Sequence, residues 1–218
     1  MAELSTLAIL GGTGKEGPGL ARRWANAGYP IIIGSRSREK AEAVAAEINA
    51  ELGLDTVRGL ENAEAARLAD ISVLTVPYEA HDATLEGVKD ALRGKILVDA
   101  TAQVDFRRPA PPTGEAAARM AQKILGPEVR VVAAFQNVPA AAVRDLNQQI
   151  SCHVLVCSDD DEARGEVVKL SEAAGMTAFE AGGLDNALVV EGVTALLITI
   201  NKRYKSRTGS LQIAGVTK

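Results

Sequence analysis

Short aliphatic runs alternate along the chain with longer amphipathic stretches, the pattern of parallel strands joined by helices. Thr6–Leu10 is predicted as the first strand, followed by Gly-Gly-Thr-Gly and a helix from about Lys15 to Ala27 that Gly28 closes. Pro30–Gly34 reads as the second strand, Arg38–Leu52 as a helix, Thr56–Gly59 as a short strand and Asn62–Leu68 as a helix. Ile71–Val76 and Lys95–Asp99 are strands flanking a helix over Glu79–Leu92. Residues 100–114 show no periodicity, and a loop that long in a compact domain often forms a functional edge. Glu115–Leu125 is predicted helical and Val129–Phe135 is the sixth strand. After Pro139 the pattern weakens, then His153–Cys157, Asp161–Ala174 and Thr177–Ala181 form a strand–helix–strand unit. A last long helix, Asp185–Lys202, runs into a basic tail.

This order predicts an α/β fold: a Rossmann-type doubly wound parallel sheet over residues 1–147, then a small C-terminal α/β lobe over 148–218. The 218 residues are 47% hydrophobic but only 3% aromatic, which suits aliphatic packing of helices on a parallel sheet. With 24 Lys+Arg against 28 Asp+Glu the net charge is −4, so no global field recruits nucleic acid. The apolar runs are expected to stop short of a membrane span, and the first strand begins too early for a signal peptide. Cys152 and Cys157 fall on opposite faces of one strand, so neither a mutual disulfide nor a zinc site is expected. The expectation is a cytoplasmic protein without nucleic-acid or membrane partners.

Gly12-Thr13-Gly14-Lys15-Glu16-Gly17 fits G-x-G-x-x-G between a strand and a helix, the context a dinucleotide needs. Gly12 is expected to permit the tight turn, Gly14 to let a pyrophosphate approach the backbone, and Gly17 to let helix and strand pack closely. The helix start offers free N–H groups and partial positive charge to the phosphates. An NAD site places an acid at the end of the second strand. No acid lies between Gly17 and Arg38; Ser35 and Arg36 stand there instead, with Lys40 one helical turn on. A hydroxyl and a guanidinium suit a 2′-phosphate, so NADP(H) is expected over NAD(H).

Together, Leu10–Gly17 and Gly34-Ser35-Arg36 resemble the NADPH-dependent F-420 reductase family (8-hydroxy-5-deazaflavin:NADP oxidoreductase). Further matches run through Leu74–Glu79, Ala134–Ala140, Val154–Asp161, Ala181–Leu184, Glu191–Leu197 and Gly209–Ile213, spanning essentially the whole chain. The resemblance implies dinucleotide contacts at Thr13 through Glu16, Ser35, Arg36 and Lys40. It implies Pro77, Tyr78 and Val104 beside the nicotinamide, and Gln136, Asn137, Pro139, Ala140 and Leu211 along the deazaflavin. Two departures fall on the second-coenzyme side: Ala102-Gln103-Val104 replaces Val-Pro-Leu, and Gly182-Gly183-Leu184 replaces Gly-Pro-Leu. The implied activity is hydride transfer between NADP(H) and coenzyme F-420. The alternatives are an NADPH reductase of FMN, FAD or another small acceptor, and a non-catalytic NADP(H)-sensing module.

No nucleophile, acid–base dyad or metal set stands out, as expected when hydride passes directly between two coenzymes. Asp159-Asp160-Asp161-Glu162 precedes a helix and reads as a cap with first-turn acids. His81 is expected to be a cap-region histidine, because nothing near it in sequence orients it, with a general acid as the alternative. Glu191 falls within an apolar helical pattern and is expected to be a buried, paired carboxylate, not a catalytic group. The tail cations Lys202, Arg203, Lys205 and Arg207 are either a solvated helix end or a seat for an anionic coenzyme tail. Apolar residues on more than one face of the last helix point to a homodimer.

Overall fold

The computed structural model describes residues 4–216. Six strands form one parallel sheet: β1 (Leu7–Leu10), β2 (Ile31–Ser35), β3 (Arg58–Glu61), β4 (Ile71–Leu74), β5 (Ile96–Asp99) and β6 (Arg130–Ala133). Their order is β3-β2-β1-β4-β5-β6, the doubly wound arrangement whose reversal lies between β1 and β4. β1, β2, β4 and β5 are buried along their full length, which is why they read as unbroken aliphatic runs instead of alternating ones. The connecting helices are α1 (Gly17–Asn26), α2 (Arg38–Leu52), α3 (Asn62–Leu68), α4 (His81–Val88) and α5 (Ala117–Leu125).

Two of these helices, α2 and α3, carry the bounds expected from sequence. The helix expected over Glu79–Leu92 is broken into a 3-10 turn at Tyr78–Ala80, α4, and a second 3-10 turn at Lys89–Leu92. A five-residue helix, α6 (Ala140–Arg144), follows Pro139. It is too short to leave a periodic signature, and the sequence pattern missed it. Beyond it lie β7 (His153–Val156), α7 (Asp161–Ala173), β8 (Thr177–Glu180) and α8 (Ala187–Arg203).

β7 and β8 form their own two-stranded parallel sheet, linked to β6 by an antiparallel bridge between Ala133 and Cys157. The two sheets share one core. A single apolar cluster runs from Leu7, Ile9 and Ile33 to Val154, Val156, Val167 and Leu170. Helix α1 joins the halves. The Trp24 indole donates to the Leu170 carbonyl at 2.8 Å and meets Phe135 edge-on, with centroids 5.7 Å apart. Arg23, also buried, donates to the carbonyls of Val143 at 3.0 Å and Asp145 at 2.7 Å.

Both cysteines are free and buried, on different sides of the sheet, and burial pushes each thiol up to about 11. The segment Leu184–Arg203 departs from the expectation of short apolar runs. It is long and apolar enough, by length and composition alone, to cross a membrane. Here Leu184, Ala187, Val190, Glu191, Thr194 and Ala195 are buried against protein.

Trp24 fills the seam between the two sheets, so Trp24→Ala should lower unfolding free energy by about 3–5 kcal/mol. Urea unfolding followed by circular dichroism measures it, since Trp24 is the only tryptophan.

Candidate functional site

The left-handed residue of the loop after β1 is Gly11, with φ +72°, and a Cβ there would lie 2.4 Å from Val76 Cγ1. The tight turn therefore falls one residue earlier than expected. Gly12 is required for space, since its Cβ would stand 2.6 Å from the Ile9 carbonyl oxygen. Gly17 packs as expected: a Cβ would lie 2.8 Å from Gly12 Cα and 2.8 Å from Thr75 Oγ1. Gly14 differs from both. It is exposed, and its Cβ would meet nothing nearer than the Gly11 carbonyl oxygen at 3.4 Å. A side chain there would occupy space outside the protein, against the start of α1. The backbone N–H groups of Thr13, Lys15 and Glu16 make no hydrogen bond among the described residues. Free donors at a helix N-terminus, with open space before them, fit a diphosphate.

Ser35 ends β2, buried, and its Oγ accepts from Ser37 N at 3.3 Å. Ser37 caps α2 by accepting from Lys40 N at 3.4 Å. Nearby cations are already neutralised. Arg38 pairs with Glu64, and Arg22 pairs with Glu47 at 2.5 Å and Glu51 at 2.7 Å. Arg36 and Lys40 are exposed, with no ion pair among the described residues. Two unpaired cations beside a serine fit a 2′-phosphate.

A cavity of about 450 Å³ opens beside the glycine loop. It brings together Gly14, Lys15, Glu16, Pro77, Tyr78, Gln136, Asn137, Pro139 and Ala140 of the residues singled out in sequence. Val138 of the same turn lines it too, and the rest of its wall had been given no role from sequence: Thr75 and Val76 after β4, Ala100 and Thr101 after β5, Phe106, Thr194, Leu197, Ile198 and Asn201 of α8, and Gly209. Val104, buried, and Leu211, whose carbonyl accepts from His153 N at 2.9 Å, stand outside that wall. So do Gly182, Gly183 and Leu184, whereas Ala102 of the other departure is part of it.

Gln136 and Asn137 are delivered by a strained backbone. Phe135 adopts φ +73°, a region an aromatic residue enters only under constraint, and here Trp24 packs on its ring. Among the described residues, six buried side-chain atoms lack a hydrogen-bond partner: Glu16 Oε1, Ser72 Oγ, Thr101 Oγ1, both amide atoms of Gln136, and Asn137 Oδ1. All but Ser72 belong to residues lining the cavity. Buried polar groups are normally satisfied, so their concentration in one pocket marks it as built for a polar ligand.

His81 opens α4, in the cap region as expected, but it does not lack groups that orient it. Its Nε2 lies 2.8 Å from Asp99 Oδ2 and its Nδ1 2.7 Å from Asp82 Oδ1, and both His81 and Asp99 are fully buried. Burial alone would lower its pKa, but the two carboxylates outweigh burial and push it up to about 9. Asp99 is eighteen residues away, so no local signal could reveal the pair. Asp99 Oδ1 also accepts from Thr101 N at 2.9 Å. Glu191, buried as expected, accepts from Gln103 N at 2.9 Å and Ala117 N at 2.8 Å, and burial pushes it up to about 7. These acids pin both ends of the loop whose Thr101, Ala102 and Phe106 face the cavity. Lys202 holds the same loop, donating to the carbonyls of Phe106 at 2.5 Å and Arg107 at 3.2 Å. It is therefore not a free cation, unlike exposed Arg203, Lys205 and Arg207. Asp160 caps α7, accepting from Ala163 N at 2.8 Å, while Asp159 pairs with Arg119 at 2.7 Å.

A family profile described as "NADP oxidoreductase coenzyme F420-dependent" matches residues 6–103. The F420-dependent NADP reductase of Methanothermobacter marburgensis is 40% identical, over 96% of this chain and 98% of that protein. The chain belongs to the F420-dependent NADP reductase family. The reductase of Methanocaldococcus jannaschii is 41% identical over 96% of this chain and 98% of its own length. The fold is shared with a candidate F420-dependent NADP reductase from Arthrobacter sp. FB24, at TM-score 0.81 and 23% identity over 96% of this chain and 99% of that one.

The buried titratable groups set a pH dependence of stability with one sign. Glu16, raised to about 8, and Glu191, raised to about 7, ionise earlier in the unfolded chain, so stability falls as pH rises above the usual carboxylate range. His81 binds its proton more tightly when folded, so its contribution is complete below about 6.5 and lost as pH passes about 9. The melting temperature of the ligand-free protein should therefore decline across this range. His81→Gln should flatten the upper part and destabilise the protein at neutral pH by about 2–3 kcal/mol. An unchanged slope between those two pH values would refute the imidazolium assignment.

Proposed function

We propose that this protein transfers a hydride between NADP(H) and a deazaflavin coenzyme of the F-420 type. The observation that carries the reading is that one cavity joins the glycine loop to the Gln136–Ala140 turn and α8, so two flat rings can lie against each other there. The coenzymes supply the chemistry, exchanging a hydride between nicotinamide C4 and deazaflavin C5. The chain binds, orients and keeps out water. The open space at Gly14 and the free donors of Thr13, Lys15 and Glu16 receive the diphosphate, while Ser35, Arg36 and Lys40 receive the 2′-phosphate. Pro77 and Tyr78 flank the nicotinamide, and the turn containing Gln136, Asn137, Pro139 and Ala140 borders the deazaflavin. Phe106, Leu197 and Ile198 give the cavity the apolar sides that a dry hydride transfer needs.

The same reading includes a cytoplasmic homodimer without nucleic-acid or membrane partners. Val189, Leu196 and Ile200 support it, exposed at 68%, 58% and 48% and seven and four residues apart on α8, a spacing that puts them on one face. A second copy would cover that face, and a monomeric mass by light scattering at micromolar concentration would refute it.

Two measurements test the activity and its coenzyme. Anaerobic mixing of the pure protein with NADPH and oxidised F-420 should consume NADPH absorbance, whereas FMN or FAD should not; the reverse result would overturn the deazaflavin reading. Arg36→Ala should weaken NADPH binding about tenfold or more, the scale of one charge-assisted hydrogen bond, and leave NADH almost unchanged. Equal affinities of the native protein for the two dinucleotides would refute the assignment of Ser35 and Arg36.

A further inference from the structure

Glu16 carries a side chain that conflicts with the anion seat around it. An ionised carboxylate beside a diphosphate site would repel the ligand, yet the residue sits at the N-cap of α1 and makes no capping hydrogen bond. Its Oε1 is sealed from solvent without a partner, and the residue lines the cavity. Among the described residues no cation pairs with it. Arg144 of α6 donates to the Lys15 carbonyl, and Lys15 is exposed. The titratable group facing Glu16 is Cys152, before β7, whose thiol the Glu16 charge raises further.

Gln136 lines the same cavity, and neither atom of its buried amide has a hydrogen-bond partner. A neutral carboxylic acid and a primary amide each present one donor and one acceptor side by side. Two such pairs lining one cavity suit a ring edge on which C=O and N–H alternate.

We propose that Glu16, with Gln136, reads the amide-type edge of the second coenzyme's pyrimidinedione ring, acting as a neutral acid that donates to C=O and accepts from N–H. The inference rests on the hydride-transfer reading above and assigns the Glu16 side chain to the acceptor, leaving only its backbone N–H to the dinucleotide. Burial pushes its carboxyl up to about 8, so the O–H donor is present at neutral pH. Ionisation removes that donor and sets a charge beside a ring carbonyl, so affinity for the acceptor falls as pH rises through this value. A nicotinamide carboxamide presents the same chemistry, and the test separates the two.

Oxidised deazaflavin binding is measured by its own fluorescence, and NADPH binding by calorimetry, on the whole protein from about pH 6.5 to about pH 9.5. Native affinity for the deazaflavin should drop about tenfold for each pH unit above the Glu16 transition. Glu16→Gln should remain within about threefold at neutral pH and lose the pH dependence, and Glu16→Ala should bind about tenfold more weakly. An infrared band of a protonated carboxyl should vanish in Glu16→Gln, and unaltered circular dichroism shows that the variants fold. NADPH affinity should not move; a drop there instead would give the carboxyl to the nicotinamide amide and overturn the proposal. Deazaflavin binding that ignores both substitutions and pH would also overturn it, leaving the hydride reading intact. NADPH binding with no deazaflavin binding at any pH would defeat the hydride reading itself.

Discussion

Helix α1 lies so close to β1 that no side chain fits between them. A Cβ on Gly12 would enter the Ile9 carbonyl, and one on Gly17 would enter Gly12 and Thr75. This contact aims the helix N-terminus at the carboxyl edge of the sheet, where a diphosphate can use its free N–H groups. The same placement carries Trp24 and Arg23 to the other end of α1, where Trp24 binds the Leu170 carbonyl of α7 and Arg23 binds the carbonyls of Val143 and Asp145 in the segment that leads to β7. One helix thus fixes both the dinucleotide seat and the wall opposite it. The cavity between them follows from that geometry.

The wall facing α1 is a loop without secondary structure, and buried acids hold it in place. Asp99 secures Thr101, and Glu191 secures Gln103 and Ala117, the two ends of the loop. Lys202 secures its middle through two carbonyls. Burying carboxylates costs several kcal/mol unless they are hydrogen-bonded. His81 and the backbone amides offset that cost and make the loop a rigid surface. A hydride transfer depends on ring separation and not on acid–base groups, so rigidity is the contribution this network makes.

Apart from Ser72 Oγ, the buried side-chain atoms left without a partner among the described residues belong to residues that line the cavity. Outside the cavity, Arg23, Asp99, Ser171 and Glu191 are buried and bonded. Inside it, Glu16, Thr101, Gln136 and Asn137 each retain a buried atom without a partner. That division locates the ligand surface more sharply than cavity size does, and it agrees with membership of a family that brings two coenzymes together.

Much of this was legible in the sequence. The glycine loop, the replacement of an acid by Ser35 and Arg36, the bounds of α2 and α3 and the Asp160 cap all depend on residues close along the chain. Their turn chemistry, charge and periodicity act locally and survive in one dimension. The partners of buried polar groups do not. Asp99 lies eighteen residues from His81, Gln103 eighty-eight from Glu191, and Asp145 one hundred and twenty-two from Arg23. Nor did the sequence show that Lys202 is consumed by the loop, that Gly11 makes the turn, or that Val104 and Leu211 do not line the cavity. Which distant elements pack together decides each of these, because a buried charge or amide takes whatever partner the folded chain brings within hydrogen-bond reach.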